Sequence, residues 1–378
     1  MTIIIGGGSA GLYFSKQYKE KHPDEDVVLV EEHLEIGKPV QCTGILTSEL
    51  EKLLPFKEIN KFTLNKITRT KIFSRNNAFE TPINSDRIIC NVSFIKYLHK
   101  EAEKTGVKIL SGHKYLENNG TTIKLRNIKT QNIIELKTNF LVGADGPSSL
   151  VAKNNKLYST RKFLTGVQAR ILLKDLDSKK IDFYPTIGEY SWSAPESPEI
   201  SRVGVAARSN AKKIFDDFIK KYPGKILEIQ GGPIPLHKPR ATVVRTQHGT
   251  QNTASSEQNC FSVALLGDAA LQIKNTTGGG IIPGLKAAKA LSDGPFNYKK
   301  NLRKLNLELY VHYKLNRILK KYSDREWNGL LETLNTKKTK EILSKINRDS
   351  PIKLLTELSL NNPTLVGIGI KALLKSQR

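Results

Sequence analysis

The chain reads as an α/β protein: a Rossmann-like nucleotide-binding unit, a β-rich second unit and a helical C-terminal region. Three observations lead there. A Gly-rich turn joins an apolar strand to a helix within the first twelve residues. Two further Gly/Asp turns end buried apolar strands far along the chain. Between and beyond them the pattern alternates in strand fashion, then turns helical and Lys-rich after Tyr298.

Residues 1–5 form a short apolar strand, Gly6-Gly7-Gly8-Ser9-Ala10-Gly11 follows without a gap, and residues 12–21 have a helical pattern. The next apolar run, Val27 to Val30, ends in Glu31, twenty residues beyond Gly11. Strand, turn, helix and acid in this register form a complete dinucleotide-binding fingerprint. Gly6 permits the tight turn, Gly8 lets a pyrophosphate approach the backbone, and Gly11 lets helix and strand pack closely. The pyrophosphate would rest on free N–H groups at the helix N-terminus, at Ala10, Gly11 and Leu12, with Glu31 accepting ribose hydroxyls.

Further on, residues 93–105 have helical periodicity, 107–110 read as a strand, and 121–125 with 133–137 read as a hairpin. Phe140-Leu141-Val142 ends in Gly143-Ala144-Asp145-Gly146, and the apolar run from Cys260 to Leu266 ends in Gly267-Asp268-Ala269-Ala270. Ligands of open α/β sheets bind at the carboxyl ends of strands. Three such turns from distant parts of the chain imply one extended ligand, for which FAD fits better than NAD. The expected division is a discontinuous FAD-binding unit (1–160 plus 240–295), a β-rich substrate unit (161–239) with one helix near 211–222, and a helical region (296–378). The polar stretch 246–258 reads as an exposed loop.

Hydrophobic residues make up 38% of the chain and charged residues 25%, a globular composition. No apolar run is long enough to span a bilayer, and Lys371 breaks the longest, 365–370. No secretory signal precedes the fingerprint, so a cytoplasmic location is expected, peripheral on the cytoplasmic membrane face. Cys42, Cys90 and Cys260 show no CxxC spacing and suggest neither disulfide nor metal. The formal charge of +24 favours polyanionic partners such as anionic lipid. It is equally what AT-biased coding would produce in a chain rich in Lys, Asn and Ile.

Three stretches beyond the general flavin elements are more specific. Residues 36–44 (IGKPVQCTG) form a cysteine-bearing loop, Tyr190-Ser-Trp192-Ser-Ala-Pro195 has a Tyr-x-Trp pattern, and Thr276-Thr-Gly-Gly-Gly-Ile281 follows the Asp268 turn. On these the chain resembles the geranylgeranyl reductase family of flavoproteins, from Met1 to about residue 320. The resemblance implies an FAD fold of the aromatic-hydroxylase type and saturation of isoprenoid chains of membrane lipids. It also implies Cys42, Thr43 and Gly44 beside the flavin. Three positions depart from the family pattern: Ala194 replaces a Phe, Leu271 a small residue, and Asn91 an Arg.

Asp268 is placed to bind ribityl hydroxyls. Gly279 and Gly280 allow close backbone approach, and a helix starting at Ile281 points its positive end at the flavin. Cys42 is the tentative catalytic residue, although no convincing general acid is visible, and His237 and His248 read as surface or loop residues. Tyr190 and Trp192 share one strand face. Periodicity alone makes them a core pair, whereas the resemblance implies a channel for an apolar chain. Gly367-Ile-Gly369-Ile-Lys-Ala372 comes too late for a second nucleotide site, so the electron donor, NAD(P)H or ferredoxin, is expected to visit transiently. The basic, apolar C-terminal helices are either solvated helices or interfacial ones on anionic lipid. The competing functions are an FAD-dependent monooxygenase or halogenase, or a basic nucleic-acid-binding protein with a vestigial flavin fold. Nucleic acid is not the expected partner.

Overall fold

The computed structural model describes residues 1–40, 42–238, 244–248 and 260–369. Its first sheet has six strands. Thr2–Ile5 lies near the centre, parallel to Val27–Glu31 on one side and to Phe140–Gly143 on the other. Lys108–Ser111 extends the sheet beyond Val27–Glu31, and Cys260–Leu265 extends it beyond Phe140–Gly143. Val244–His248 closes that side antiparallel. The central strands are apolar on both faces because both faces are covered: Ile3, Ile4, Leu29, Leu141 and Val142 are fully buried. Helices Ser9–Lys21, Asn91–Lys104 and Ile281–Ser292 cover one face. The small sheet His113–Asn119, Thr122–Asn127 and Ile133–Lys137, with helix Leu150–Asn154, covers the other.

The second sheet has eight strands, in the order Lys225–Pro235, Phe163–Leu172, Ile200–Ala207, Tyr190–Pro195, Lys180–Tyr184, Thr63–Phe73, Ala78–Ile89 and Ile45–Leu46. Helix Ala211–Ile219 buries Phe215 and Phe218 on one face of it. The expected division needs correction here, because 45–89 was assigned to the FAD-binding unit. Its strands instead pair into the second sheet, Lys180–Tyr184 lying parallel to Thr63–Phe73. Thr63–Phe73 is rich in Lys, Thr and Asn and buries only Ile67 fully, so its apolar signal is weak.

The C-terminal helix Lys337–Lys345 packs on strand Ala78–Ile89, Pro351–Asn361 packs on that helix, and both border the cavity described below. A second correction concerns 246–258. Its first residues belong to strand Val244–His248, and 249–259 lie outside the described residues. His248 is therefore on a strand. No helix among the described residues is long and apolar enough to cross a membrane.

Candidate functional site

The three Gly/Asp turns follow Thr2–Ile5, Phe140–Gly143 and Cys260–Leu265, which are neighbours in the parallel sheet. Sheet order alone therefore brings them to one carboxyl edge. Gly6 has φ of +112°, and a Cβ there would lie 2.2 Å from the Ala144 carbonyl oxygen. A Cβ on Gly11 would lie 2.1 Å from the Gly6 oxygen. At Gly8 a Cβ would meet nothing within 4 Å, so this position faces open space.

Helix Ser9–Lys21 has no side-chain cap and no acidic residue in its first turn. Its early N–H groups are left for an anion. The first intrahelical bond runs from the Leu12 N–H to the Gly8 oxygen (3.0 Å), and the Leu12 side chain is fully buried. Leu12 thus offers a ligand neither group, which corrects its expected contact. Ala10 instead sits where the helices meet: Cβ atoms on Gly267 and Gly284 would lie 3.2 and 3.4 Å from its own. Glu31 accepts from the Gly7 N–H (2.6 Å) and the His33 N–H (2.9 Å). Its carboxylate keeps lone pairs for further donors.

Asp268 is largely buried, with an oxygen 2.9 Å from where a Gly280 Cβ would be. Burial pushes its carboxyl up to about 6, and Arg161 only partly offsets this. A group whose folded value is raised contributes stability below its unfolded value and loses it as pH rises through the folded one. The gap from the ordinary 3.8 is worth at most about 3 kcal/mol. Asp268→Asn in the FAD-free protein should therefore raise the urea midpoint at pH 8. The difference should shrink as pH falls through 6 towards 4, and a constant difference would refute the assignment.

Helix Ile281–Ser292 starts directly after Gly280 and likewise lacks a capping side chain or early acid. Gly278 (φ +65°) lies against Tyr190, since a Cβ there would be 2.1 Å from the phenol oxygen.

The loop bearing Cys42 is braced from two sides. The Asn91 amide donates to the Cys42 carbonyl (2.7 Å), and buried Arg202 donates to the carbonyls of Thr43 and Ile89. Asn91 thus ties this loop to the helix it opens. Ala194 is directly across the ladder from Arg202, and its small side chain leaves the guanidinium room. Cys42 is exposed by surface area yet lines a cavity walled by protein, which pushes its thiol up. Leu271 is left-handed (φ +57°) and fully buried. His237 is buried, not superficial. Its ring is 2.8 Å from the Leu271 oxygen and its N–H donates to Asn275.

That cavity holds about 370 Å³. The turns Cys42 to Gly44 and Thr277 to Gly279 form one part of its wall. Ile45, Ile72, Ile83, Ile181, Phe183 and Ile234 give it an apolar lining. Leu343, Ile346 and Leu354 close it from the C-terminal helices. Tyr190 and Trp192 both line it, their rings 5.9 Å apart. The indole lies on Gly204, where a Cβ would be 2.4 Å from the ring. The Tyr190 hydroxyl, Trp192 Nε1 and Thr277 Oγ1 are buried with no hydrogen-bond partner among the described residues, so they are open to a ligand or water.

Four buried or part-buried charges beside the cavity escaped sequence reasoning. Lys274 pairs with Asp349, which also accepts from Thr47, and Arg348 pairs with Asp86. A lysine between the buried Asp268 turn and Gly278 was the available signal. No group of His, Cys, Asp and Glu among the described residues could hold a metal.

Residues 44–281 match the FAD binding domain family. The chain belongs to that family: it is a flavoprotein oxidoreductase whose cofactor is FAD. Its relatives narrow the class. It is 25% identical to digeranylgeranylglycerophospholipid reductase 2 of Methanothermobacter thermautotrophicus, over 94% of this chain and 96% of the relative. It is 26% identical to digeranylgeranylglycerophospholipid reductase of Methanocaldococcus jannaschii, over 88% and 90%. A geranylgeranyl bacteriochlorophyll reductase-like structure from Thermoplasma acidophilum shares the fold, with a TM-score of 0.78, 18% identity and 98% of each chain covered. The flavin-dependent brominase Bmp2 shares it less closely, with a TM-score of 0.57, 13% identity and coverage of 98% and 92%. The uncapped helix ends, the open space at Gly8 and the three converging turns suit an extended, anionic dinucleotide.

Proposed function

We propose that this protein saturates isoprenoid double bonds of membrane lipids or their precursors. The observation that carries this is the apolar cavity running directly off the Cys42 and Gly278–Gly279 turns. Bound FAD, once reduced, supplies a hydride. The chain's own residues do the rest. Early N–H groups of helix Ser9–Lys21 hold the pyrophosphate, Glu31 the ribose, and Asp268 the ribityl hydroxyls. Thr43, Gly44, Gly279, Gly280 and the N-terminus at Ile281 border the ring. The cavity excludes water and orients the prenyl chain against Tyr190 and Trp192. Cys42 stays a thiol, because its surroundings push it up. It shapes the site and holds a proton there.

Support comes from the reductase names of the relatives, which span nearly the whole chain. The test is mass spectrometry of ether lipids after the chain is expressed beside an unsaturated ether-lipid pathway. A mass gain of two hydrogens per double bond is expected. Oxygen or halogen incorporation would instead establish the monooxygenase or halogenase.

The substrate also requires a membrane approach. Helix Pro351–Asn361 exposes Ile352, Leu355 and Leu360 beside Lys353, and Lys337 is exposed nearby. Each basic residue near an anionic surface contributes about 1 kcal/mol, and salt screens it. The protein should sediment with anionic vesicles at low salt, be released at high salt, and ignore neutral vesicles. Lys337→Gln with Lys353→Gln removes about 2 kcal/mol and should weaken binding about thirtyfold at low salt. Equal binding to neutral vesicles would make the charge compositional. Truncation is a poor test, because these helices wall the cavity.

A further inference from the structure

The proposed reaction gives no role to the charges behind the Gly-rich turn, although Asp86, Lys274 and Arg348 also line the cavity. The Lys274 and Asp349 side chains are only 6% and 3% exposed. A Cβ on Gly279 would lie 2.8 Å from Lys274 Cε and 3.2 Å from Nζ, so the ammonium is pressed against that turn. The backbones are also tied. The Lys274 N–H donates to the Gly279 oxygen (3.2 Å), and the Lys274 carbonyl accepts from the N–H groups of Thr277 and Gly278. Asp349 comes from the far side, in the link between the two C-terminal helices that close the cavity. With Arg348 and Asp86 the cluster has two positive and two negative charges, and so no net charge.

A buried ion pair is weak evidence for stability, since apolar residues of similar size often do as well. Its distance from a charge-changing group matters more, because a local charge acts strongly where water is excluded. Adding two electrons and one proton to oxidised flavin leaves one extra negative charge on the ring.

We infer that Lys274 and Asp349 are opposed electrostatic controls on the bound flavin, Lys274 favouring its reduced anionic form and Asp349 offsetting that pull. This rests on the placement of the ring beside Gly278–Gly280. It makes Lys274 a positioning residue for charge, linked through Asp349 to the wall of the lipid cavity.

The test is the midpoint potential of FAD in the holoprotein, titrated with dithionite against indicator dyes. Lys274→Met should disfavour reduction at least tenfold, a fall of about 30 mV for a two-electron couple. Asp349→Asn should shift the potential the opposite way. Lys274→Met/Asp349→Asn, with no charge left unpaired, should return near wild type and is the variant best placed to fold. Lys274→Arg should keep the wild-type potential. Lys21→Met, whose ammonium pairs with Asp293 beyond the far end of helix Ile281–Ser292, should not move it. Shifts of the same sign, or none, in the two single variants would overturn the inference. So would a shift in Lys274→Arg or in the double variant as large as that in Lys274→Met. A wild-type protein that takes up no FAD would instead overturn the flavin assignment, a distinguishable failure.

Discussion

Replacing Gly8 with Val should give a folded protein without the yellow colour of bound FAD. Among the described residues, apart from its chain neighbours, none lies within 4 Å of where a Gly8 Cβ would be, so the fold has no objection to a side chain there. The space instead fronts the uncapped N-terminus of helix Ser9–Lys21, where the pyrophosphate must approach bare backbone. Hydrogen bonds to a charged group are worth about 1.5–3 kcal/mol each. Losing one or two weakens FAD binding at least about tenfold, and about a hundredfold at 3 kcal/mol. Gly11→Val makes the contrast. Its Cβ would lie 2.1 Å from the Gly6 oxygen, so helix and strand must separate and stability falls together with flavin binding. Flavin content and thermal unfolding of both proteins separate the two effects. Full flavin retention by Gly8→Val would remove the pyrophosphate from this turn.

Much of the nucleotide side was legible because backbone demands write themselves into residue types. The turn at Gly6–Gly11 admits few sequences, and the buried strands ending at Gly143 and Leu265 are apolar throughout. Their adjacency was inferable because ligands of open sheets collect at strand ends. The hairpin of Thr63–Phe73 and Ala78–Ile89 was not legible, since polar residues interrupt the apolar ones in both strands and several of those polar residues face the cavity rather than solvent. Its partner strands arrive a hundred residues later. His237 was missed for a different reason. A lone histidine in a polar context carries no sign of the buried carbonyl it will meet at Leu271. The charges of Asp86, Lys274, Arg348 and Asp349 come from three separate segments, and no spacing within any one of them encodes the pairing. The aromatic motif was half legible. Strand alternation gave the shared face of Tyr190 and Trp192, but only the folded sheet shows that face turned onto a cavity.

Trp192→Ala should cut lipid saturation by more than an order of magnitude while leaving FAD content unchanged. The indole is 7% exposed and packs with Tyr190, yet it forms part of the cavity wall. It is therefore a core residue and a binding surface together. At 7% exposure only about 20 Å² of the indole is left to meet the prenyl chain, so direct burial at about 25 cal/mol per Å² supplies about 0.5 kcal/mol. Contact alone is therefore worth about twofold; the larger loss comes from position, because the vacated indole volume lets the prenyl chain shift and a misplacement of about 1 Å costs about a hundredfold. Truncation also costs fold stability, about 3–5 kcal/mol for a fully enclosed Trp and less where the vacated space joins a cavity. Trp192→Phe, which keeps an apolar ring, should recover much of the turnover. Gly204→Ala gives an independent check, since its new methyl would lie 2.4 Å from the ring. It should displace the indole and lower turnover without removing it. Flavin spectrum and content should match wild type in the two Trp192 variants, whereas the Gly204 methyl also meets Gln168 Cβ at 2.8 Å, and Gln168 accepts from Thr43. Normal lipid turnover in Trp192→Ala would return the indole to an ordinary core role and leave the prenyl chain bound elsewhere in the cavity.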